Sequence, residues 1–239
     1  MIFGVVIPVF NEHGLLPAVI ARIDAVAPPS APDGTPLQRL LVLVDDGSTD
    51  GSGNELRSLE SRSDVIVVRH GLNLGKGAAV RTGIAVALAA DADLVLIHDA
   101  DLEYDPADHA AVLAPILNHR ADAVIGSRFR GQSRDGMYAW HTIGNAVITL
   151  VSNEFTALVL TDIECCFKAF TRGVAQRLDL RESRFGVEPE IVAKLARMTS
   201  VRICEVPVSY RGRTFADGKK ISWRDGFAAL VCIVKYSLR

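Results

Sequence analysis

Residues 94–103 read Leu94-Val95-Leu96-Ile97-His98-Asp99-Ala100-Asp101-Leu102-Glu103. Four aliphatic side chains in a row leave no polar face, which is the pattern of a strand covered on both sides, and the run ends abruptly in alternate acids. In an extended stretch, side chains two apart point the same way, so Asp99 and Asp101, with Glu103, would offer oxygens to one cation. Hard oxygen ligands select Mg2+ or Mn2+ over zinc or copper. An acid-x-acid tripeptide is common by chance, and what gives this one weight is its place at the end of a buried strand.

Similar apolar runs recur on either side, at Ile2–Val9, Leu40–Val44, Val65–Val68 and Ala123–Ile125. Between the runs, Glu12–Val26, Ser52–Leu59, Lys76–Ala90 and Pro106–Asn118 repeat apolar residues three and four apart, the helical period. Strand and helix alternate, which predicts an α/β fold: a doubly wound, mostly parallel sheet flanked by helices, with ligands beyond the carboxyl ends of the strands. Beyond Ser127 the alternation stops. A helix is predicted over Tyr138–Val159, a short strand over Cys166–Phe170, a helix over Pro189–Met198 and an extended segment over Val201–Tyr210. Ser222–Leu238 reads as an amphipathic helix with Trp223, Phe227, Leu230, Val231 and Val234 on one side, suited to core packing or to a membrane surface.

The bulk numbers narrow the function classes. The 239 residues are 49% apolar and 23% charged, ordinary for a globular chain, and fit a single α/β domain. Twenty-six Lys and Arg against 28 Asp and Glu give a net charge of -2, so there is no electrostatic footprint for nucleic acid. Cys165, Cys166, Cys204 and Cys232 form no C-x-x-C or metal-ligand spacing and read as reduced thiols of a cytoplasmic protein. The first residues lack a basic region and meet Pro8 at once, so they read as a strand rather than a signal peptide. Ile143–Leu160 is interrupted by Asn145, Ser152, Asn153 and Glu154, which argues against a spanning helix.

Three other strand ends carry polar residues. In Pro8-Val9-Phe10-Asn11-Glu12 a proline ends the strand and a carboxylate opens the helix, where the helix dipole favours it. In Asp45-Asp46-Gly47-Ser48-Thr49-Asp50-Gly51 one acid would suffice as a cap, and two adjacent carboxylates call for a cation or hydrogen-bond donors. Gly71-Leu72-Asn73-Leu74-Gly75-Lys76-Gly77 fails as a phosphate loop, because three residues rather than four separate Gly71 from Gly75 and no hydroxyl follows Lys76. Lys76 at this helix start lies near a phosphate or base, or else the glycines serve only as a cap.

Taken in order, Ile7–Glu12, Asp45–Gly51, Asn73–Gly77, Asp99–Glu103 and Gly126-Ser127-Arg128-Phe129 resemble the family-2 glycosyltransferases with the GT-A fold, in particular the branch of dolichyl-phosphate mannose synthases and bacterial polyprenyl-phosphate glycosyltransferases. The resemblance implies a nucleotide-diphosphate sugar donor, a polyprenyl phosphate acceptor, Mg2+ or Mn2+, and peripheral contact with the cytoplasmic face of a membrane. It implies a nucleotide-binding half over residues 1–127 and an acceptor-side half over 128–239. Pro8, Phe10, Asn11, Glu12, Asp45, Asp46, Lys76 and Ala100 would then bind the donor, and Asp99, Asp101 and Glu103 the metal. Arg213 and Lys219 match a mobile loop whose two cations grip the diphosphate, and Arg128, with His141, would meet the acceptor phosphate. Phe10 stands where a tyrosine is often found, which keeps stacking and loses a hydroxyl.

The stretch Thr161-Asp162-Ile163-Glu164 bears on the acceptor. Family members that glycosylate a hydroxyl use an acid here as general base, so Asp162 or Glu164 would serve, whereas a phosphate acceptor needs none. Glu188 and Glu190 flank Pro189 at a helix start, where the dipole alone would favour them. Three alternatives remain on these residues: transfer to a hydroxyl of a soluble or polysaccharide acceptor, a non-catalytic sugar-nucleotide-binding module, and a nucleotidyltransferase. The last is disfavoured because no glycine- and base-rich loop follows the first strand.

Overall fold

The computed structural model describes residues 1–130, 134–135, 139–212 and 223–238, the side chains of 134–135, 139–141 and 223–225 excepted. The first half alternates as its hydrophobic pattern predicts: β1 (Ile2–Val9), α1 (Leu16–Asp24), β2 (Gln38–Asp45), α2 (Ser52–Leu59), β3 (Val65–Arg69), α3 (Lys76–Ala89), β4 (Leu94–Ile97), a 3-10 turn into α4 (His109–Leu117), and β5 (Ala123–Ser127). Helix α1 starts four residues later than the apolar period suggests. Gly14 takes φ +82, a left-handed turn that interrupts helix, and Pro17 then opens it from within the first turn.

The second half adds β6 (Arg134–Asp135), α5 (Ala139–Thr156), β7 (Lys168–Thr171), α6 (Arg172–Arg177), α7 (Val187–Arg197), β8 (Ile203–Pro207), β9 (Tyr210–Arg211) and α8 (Trp223–Ser237). Seven strands form the main sheet in the order β3-β2-β1-β4-β7-β5-β8. β7 lies between β4 and β5 and runs antiparallel to both, while the remaining pairs are parallel. The strand thus begins two residues after the predicted Cys166 and enters the middle of the sheet. Its first residue, Lys168, is fully buried.

The core fills both faces of this sheet, with Phe3, Val5, Ile7, Leu41, Leu43, Leu96, Ile97, Phe167 and Phe170 all but inaccessible. Each such side chain contributes roughly 1.5–3 kcal/mol of burial. The parallel strands β1, β2 and β4 finish side by side, so Phe10, Asp46 and Asp99 leave the sheet at one edge. No helix among the described residues is long and apolar enough to cross a membrane.

Candidate active site

A cleft of about 370 Å³ opens at that edge. Pro8, Phe10 and Glu12 line it from the end of β1, Asp46 from β2, Lys76 from α3, and Asp99, Ala100, Asp101 and Glu103 from the segment after β4. Arg128 reaches in after β5. Ten residues predicted from scattered stretches of sequence therefore share one concavity.

Asn11 and Asp45 do not line it. Asn11 sits at φ 53, accepts from the Thr49 N–H at 2.8 Å and donates its own N–H to Ser48 Oγ at 3.1 Å. Asp45 is buried and accepts from the Ser48 N–H at 2.9 Å. Asn11 thus ties the loop after β1 to the loop after β2, while Asp45 closes a turn within its own loop. Asp46 also has protein partners: the Leu74 and Gly75 N–H groups donate to it at 3.0 and 2.7 Å, and His70 Nδ1 lies 2.7 Å away. The adjacent acids thus have donors within the protein, Asp45 from the Ser48 N–H of its own loop and Asp46 from two N–H groups of the glycine loop.

That loop is a packing device. Gly75, at φ +100, would place a Cβ 2.3 Å from the Ser183 carbonyl oxygen, and a Cβ at Gly77 would lie 2.3 Å from that of Glu182. The Ala78 N–H donates to Ser183 O at 3.1 Å. The two glycines admit residues 182–185 against the start of α3, and Arg184 and Phe185 thereby become a wall of the cleft.

The acids after β4 are not in an extended stretch. Leu102 takes φ 62 and turns the chain between Asp101 and Glu103, whose N–H donates to Asp101 Oδ1 at 3.1 Å. Among the described residues no three His, Cys, Asp or Glu side chains gather as a preformed metal cage. Asp99 Oδ2 faces Lys76 Nζ at 2.8 Å, and Glu103 Oε2 accepts the Tyr210 hydroxyl at 2.8 Å. Lys76 Nζ also meets Glu188 Oε1 at 3.0 Å, and the fully buried Lys168 pairs with Glu188 Oε2. Burial opposes the charge on Lys76, yet Asp99 and Glu188 hold its pKa well above the ordinary lysine value.

Arg128 and Asp162 form the opposite wall. Asp162 is fully buried and accepts from Arg128 Nε at 2.7 Å and Nη2 at 2.8 Å, so it does not face the cleft as a base. It is Glu164 that lines the cleft. One of its oxygens is buried without a partner, and burial, then Glu188, pushes its pKa up to about 7. Asn145 of α5 lies 3.5 Å from Arg128 Nη2. The side chain of His141 and the whole of Arg213 and Lys219 fall outside the described residues. Tyr104, Arg184, Phe185 and Tyr210 line the cleft and escaped the sequence reading. Tyr210 alone had a signal, as an aromatic closing a predicted extended segment.

The glycosyl transferase family 2 model matches residues 4–179. A UDP-N-acetylglucosamine–dolichyl-phosphate N-acetylglucosaminyltransferase of Methanococcus voltae is 26% identical, over 92% of each chain. An undecaprenyl-phosphate 4-deoxy-4-formamido-L-arabinose transferase of Pseudomonas aeruginosa is 30% identical over 92% of this chain, which spans 61% of that protein's length. Glucosyl-3-phosphoglycerate synthase from Mycobacterium tuberculosis, solved with Mn2+, UDP and phosphoglyceric acid, superposes with a TM-score of 0.70 over 98% of this chain and 78% of its own, at 18% identity. That likeness identifies the architecture as the GT-A fold.

Proposed function

This chain belongs to glycosyl transferase family 2 and is a glycosyltransferase, and from that premise we propose that it moves a hexose from a nucleotide-diphosphate sugar, of the GDP-mannose or UDP-glucose type, to a polyprenyl phosphate with inversion at the anomeric carbon. The observation that carries the reading is the single cleft with carboxylates and Lys76 on the donor side and a clamped arginine across from them. Residues 1–127 hold the donor and residues 128–239 meet the acceptor.

The donor-side acids fit a divalent ion. Mg2+ and Mn2+ are commonly held by one or two carboxylates together with substrate phosphates and water, so Asp99 and Asp101 suffice without a three-acid cage. Asp99 already carries a cation, the Lys76 ammonium, at 2.8 Å. Glu103, whose Oε2 accepts the Tyr210 hydroxyl, lines the same cleft and would add an oxygen only through a shift toward the two aspartates. When bound, the ion neutralises charge on the departing diphosphate. Phe10 stacks on the base, Glu12 and Asp46 bound its pocket, and Arg213 and Lys219 are proposed as the cations that balance the diphosphate.

On the acceptor side the Arg128 fork takes the phosphate, and His141 is proposed as a second basic group for it. A phosphate oxygen is anionic near neutral pH and attacks without a base, which agrees with an Asp162 that is consumed in holding Arg128. The lipid chain leaves along α5 and α8. Ile143, Val147 and Leu150 form an exposed stripe on α5, on the side opposite Asn145, and Phe227, Val231 and Val234 form another on α8. Phe227, Val231 and Val234 of this helix thus face outward, as peripheral membrane contact requires, while Leu230 packs against the core and Ala229, Cys232, Ile233 and Tyr236 bury the helix's other side.

The test is incubation with Mg2+ or Mn2+, a short prenyl phosphate and separate UDP- and GDP-sugars, with mass spectrometry of the products. Transfer to soluble hydroxyl acceptors with none to prenyl phosphates overturns the acceptor assignment. Replacing Phe227 and Val231 together by Asp lowers co-sedimentation with phosphatidylcholine vesicles, and unchanged co-sedimentation removes this face from the reading.

A further inference from the structure

A second cavity, of about 520 Å³, lies between the end of α6, the turn that follows it, and the C-terminal ends of α7 and α8. It shares no lining residue with the donor–acceptor cleft. Four cations, Arg177, Arg181, Lys194 and Arg197, line it against one carboxylate, Asp179. Basic residues in a helix's last turn offset the partial charge of its free carbonyls, which accounts for Arg177, Lys194 and Arg197 singly. It does not account for their meeting in one concavity.

The cavity is built. Glu190, fully buried, accepts from the N–H groups of Arg181 and Glu182 at 2.8 Å each and pairs with Lys194 Nζ at 2.8 Å, which fastens the turn after α6 onto α7. Lys194 Nζ also donates to the Asp179 carbonyl. Arg197 Nη1 donates to the Ser237 carbonyl at 2.9 Å and ties the end of α8 to the end of α7. Two cations remain uncommitted to the scaffold. Arg181 pairs with Asp179, but both side chains are well exposed, 63% and 72%, so water competes with that bond and an incoming anion can replace it. Among the described residues, Arg177 has no ion pair or hydrogen bond from its side chain.

We infer that this cavity is a second anion site that takes a phosphate-bearing group, with the Arg177 and Arg181 forks as its grip and Lys194 as the fixed charge beside them. Guanidinium forks match phosphate oxygens in pairs, and a phosphate relieves the mutual repulsion of the cations gathered there. Tyr236 of α8 lines the cavity, while Val234 and Leu238 on the same helix end are exposed, so the site borders the outward apolar stripe. The phosphate belongs either to an anionic lipid headgroup or to a soluble phosphate, and the inference stands apart from the glycosyl-transfer reading.

The experiment uses the full chain in two arms. Inorganic phosphate is titrated into the 15N-labelled protein, and signals of residues 177–181 and 194–199 are followed beside those around Asp99 and Arg128. Co-sedimentation is measured with phosphatidylcholine vesicles and with vesicles that also contain phosphatidylglycerol. The variants are Arg177→Ala with Arg181→Ala, and separately Thr199→Glu, which places a carboxylate in the cavity and removes no arginine. A headgroup site predicts that both variants lose on the order of tenfold or more of the preference for phosphatidylglycerol. A soluble-phosphate site predicts saturable shifts at the cavity that both variants weaken about tenfold, with vesicle binding alike in all proteins. Either pattern supports the site. No saturable shift at the cavity, together with vesicle binding that the variants leave unchanged, overturns it, provided that thermal unfolding shows the variants folded.

Discussion

Asp162 holds Arg128 at three points: its Oδ2 accepts from the backbone N–H at 3.0 Å and from Nε at 2.7 Å, and its Oδ1 accepts from Nη2 at 2.8 Å. The Tyr210 ring lies 5.2 Å below the guanidinium carbon. An arginine fixed on so many sides presents its remaining N–H groups in one direction, and in the proposed reaction that direction is the acceptor phosphate. Asp162→Asn leaves a buried guanidinium without its counter-charge, which costs about 3–5 kcal/mol of stability. The acceptor KM rises while the donor KM stays as it was. Equal acceptor KM values in a folded variant would show that the clamp positions nothing.

Tyr210 joins the two sides of the cleft, since its hydroxyl donates to Glu103 and its ring supports Arg128. Tyr210→Phe deletes only the first contact. The expected result is weaker Mn2+ binding by calorimetry, with an acceptor KM near that of the parent. Tyr210→Leu, which also removes the ring, impairs both. A Phe variant that binds Mn2+ as the parent does would detach Tyr210 from the metal side.

Gly77→Ala tests whether the glycine loop is there to admit residues 182–185. A Cβ at Gly77 meets the Glu182 carbonyl at 2.3 Å, whereas at Gly71 nothing lies within 4 Å. Forcing the backbones apart costs on the order of 1–3 kcal/mol and displaces Arg184 and Phe185 from the cleft wall. Gly71→Ala stays within about 0.5 kcal/mol of the parent in urea unfolding. If both variants unfold at the parent's midpoint, the close approach has no energetic content.

What was legible in the chain follows from which interactions are local. β1, β2 and β4 are covered on both faces, so their sequences carry unbroken apolar runs, and the polar residues that follow them mark the cleft. The insertion of β7 between β4 and β5 was not legible. Its four residues, Lys168-Ala169-Phe170-Thr171, open on a charge, and that charge is buried only because Glu188, from a helix twenty residues on, comes to meet it. The metal-side geometry was hidden for a similar reason. An alternate-acid pattern suggests an extended chain, and only the positive φ at Leu102 shows that it turns. Nor does a sequence reveal that Asn11 has its partner in another loop, at Thr49, or that Asp45 accepts from Ser48 within its own turn.

Glu164 gives a prediction with a definite sign. Burial, and then the nearby Glu188, raises its pKa to about 7, above the ordinary glutamate value of about 4.3. The folded protein therefore holds this proton more tightly than the unfolded chain. The favourable contribution is complete below the unfolded pKa and is lost as pH rises through about 7, the folded value. Glu164→Gln keeps the shape and removes the titration. Urea unfolding of parent and variant between about pH 4.5 and 7.5 should show the parent losing stability relative to the variant as pH rises, by at most about 1.4 kcal/mol per pH unit. The window matters for the site, because over the same interval a neutral carboxyl that can donate to an acceptor phosphate becomes a carboxylate that repels it. The acceptor KM of the parent should accordingly rise over the window in which the stability difference is lost, relative to the acceptor KM of Glu164→Gln at the same pH, a comparison that cancels the acceptor phosphate's own ionisation at about pH 6. A constant difference across the window would mean that the Glu164 carboxyl is already ionised at the lower pH and that Lys168 and Arg128 outweigh its burial.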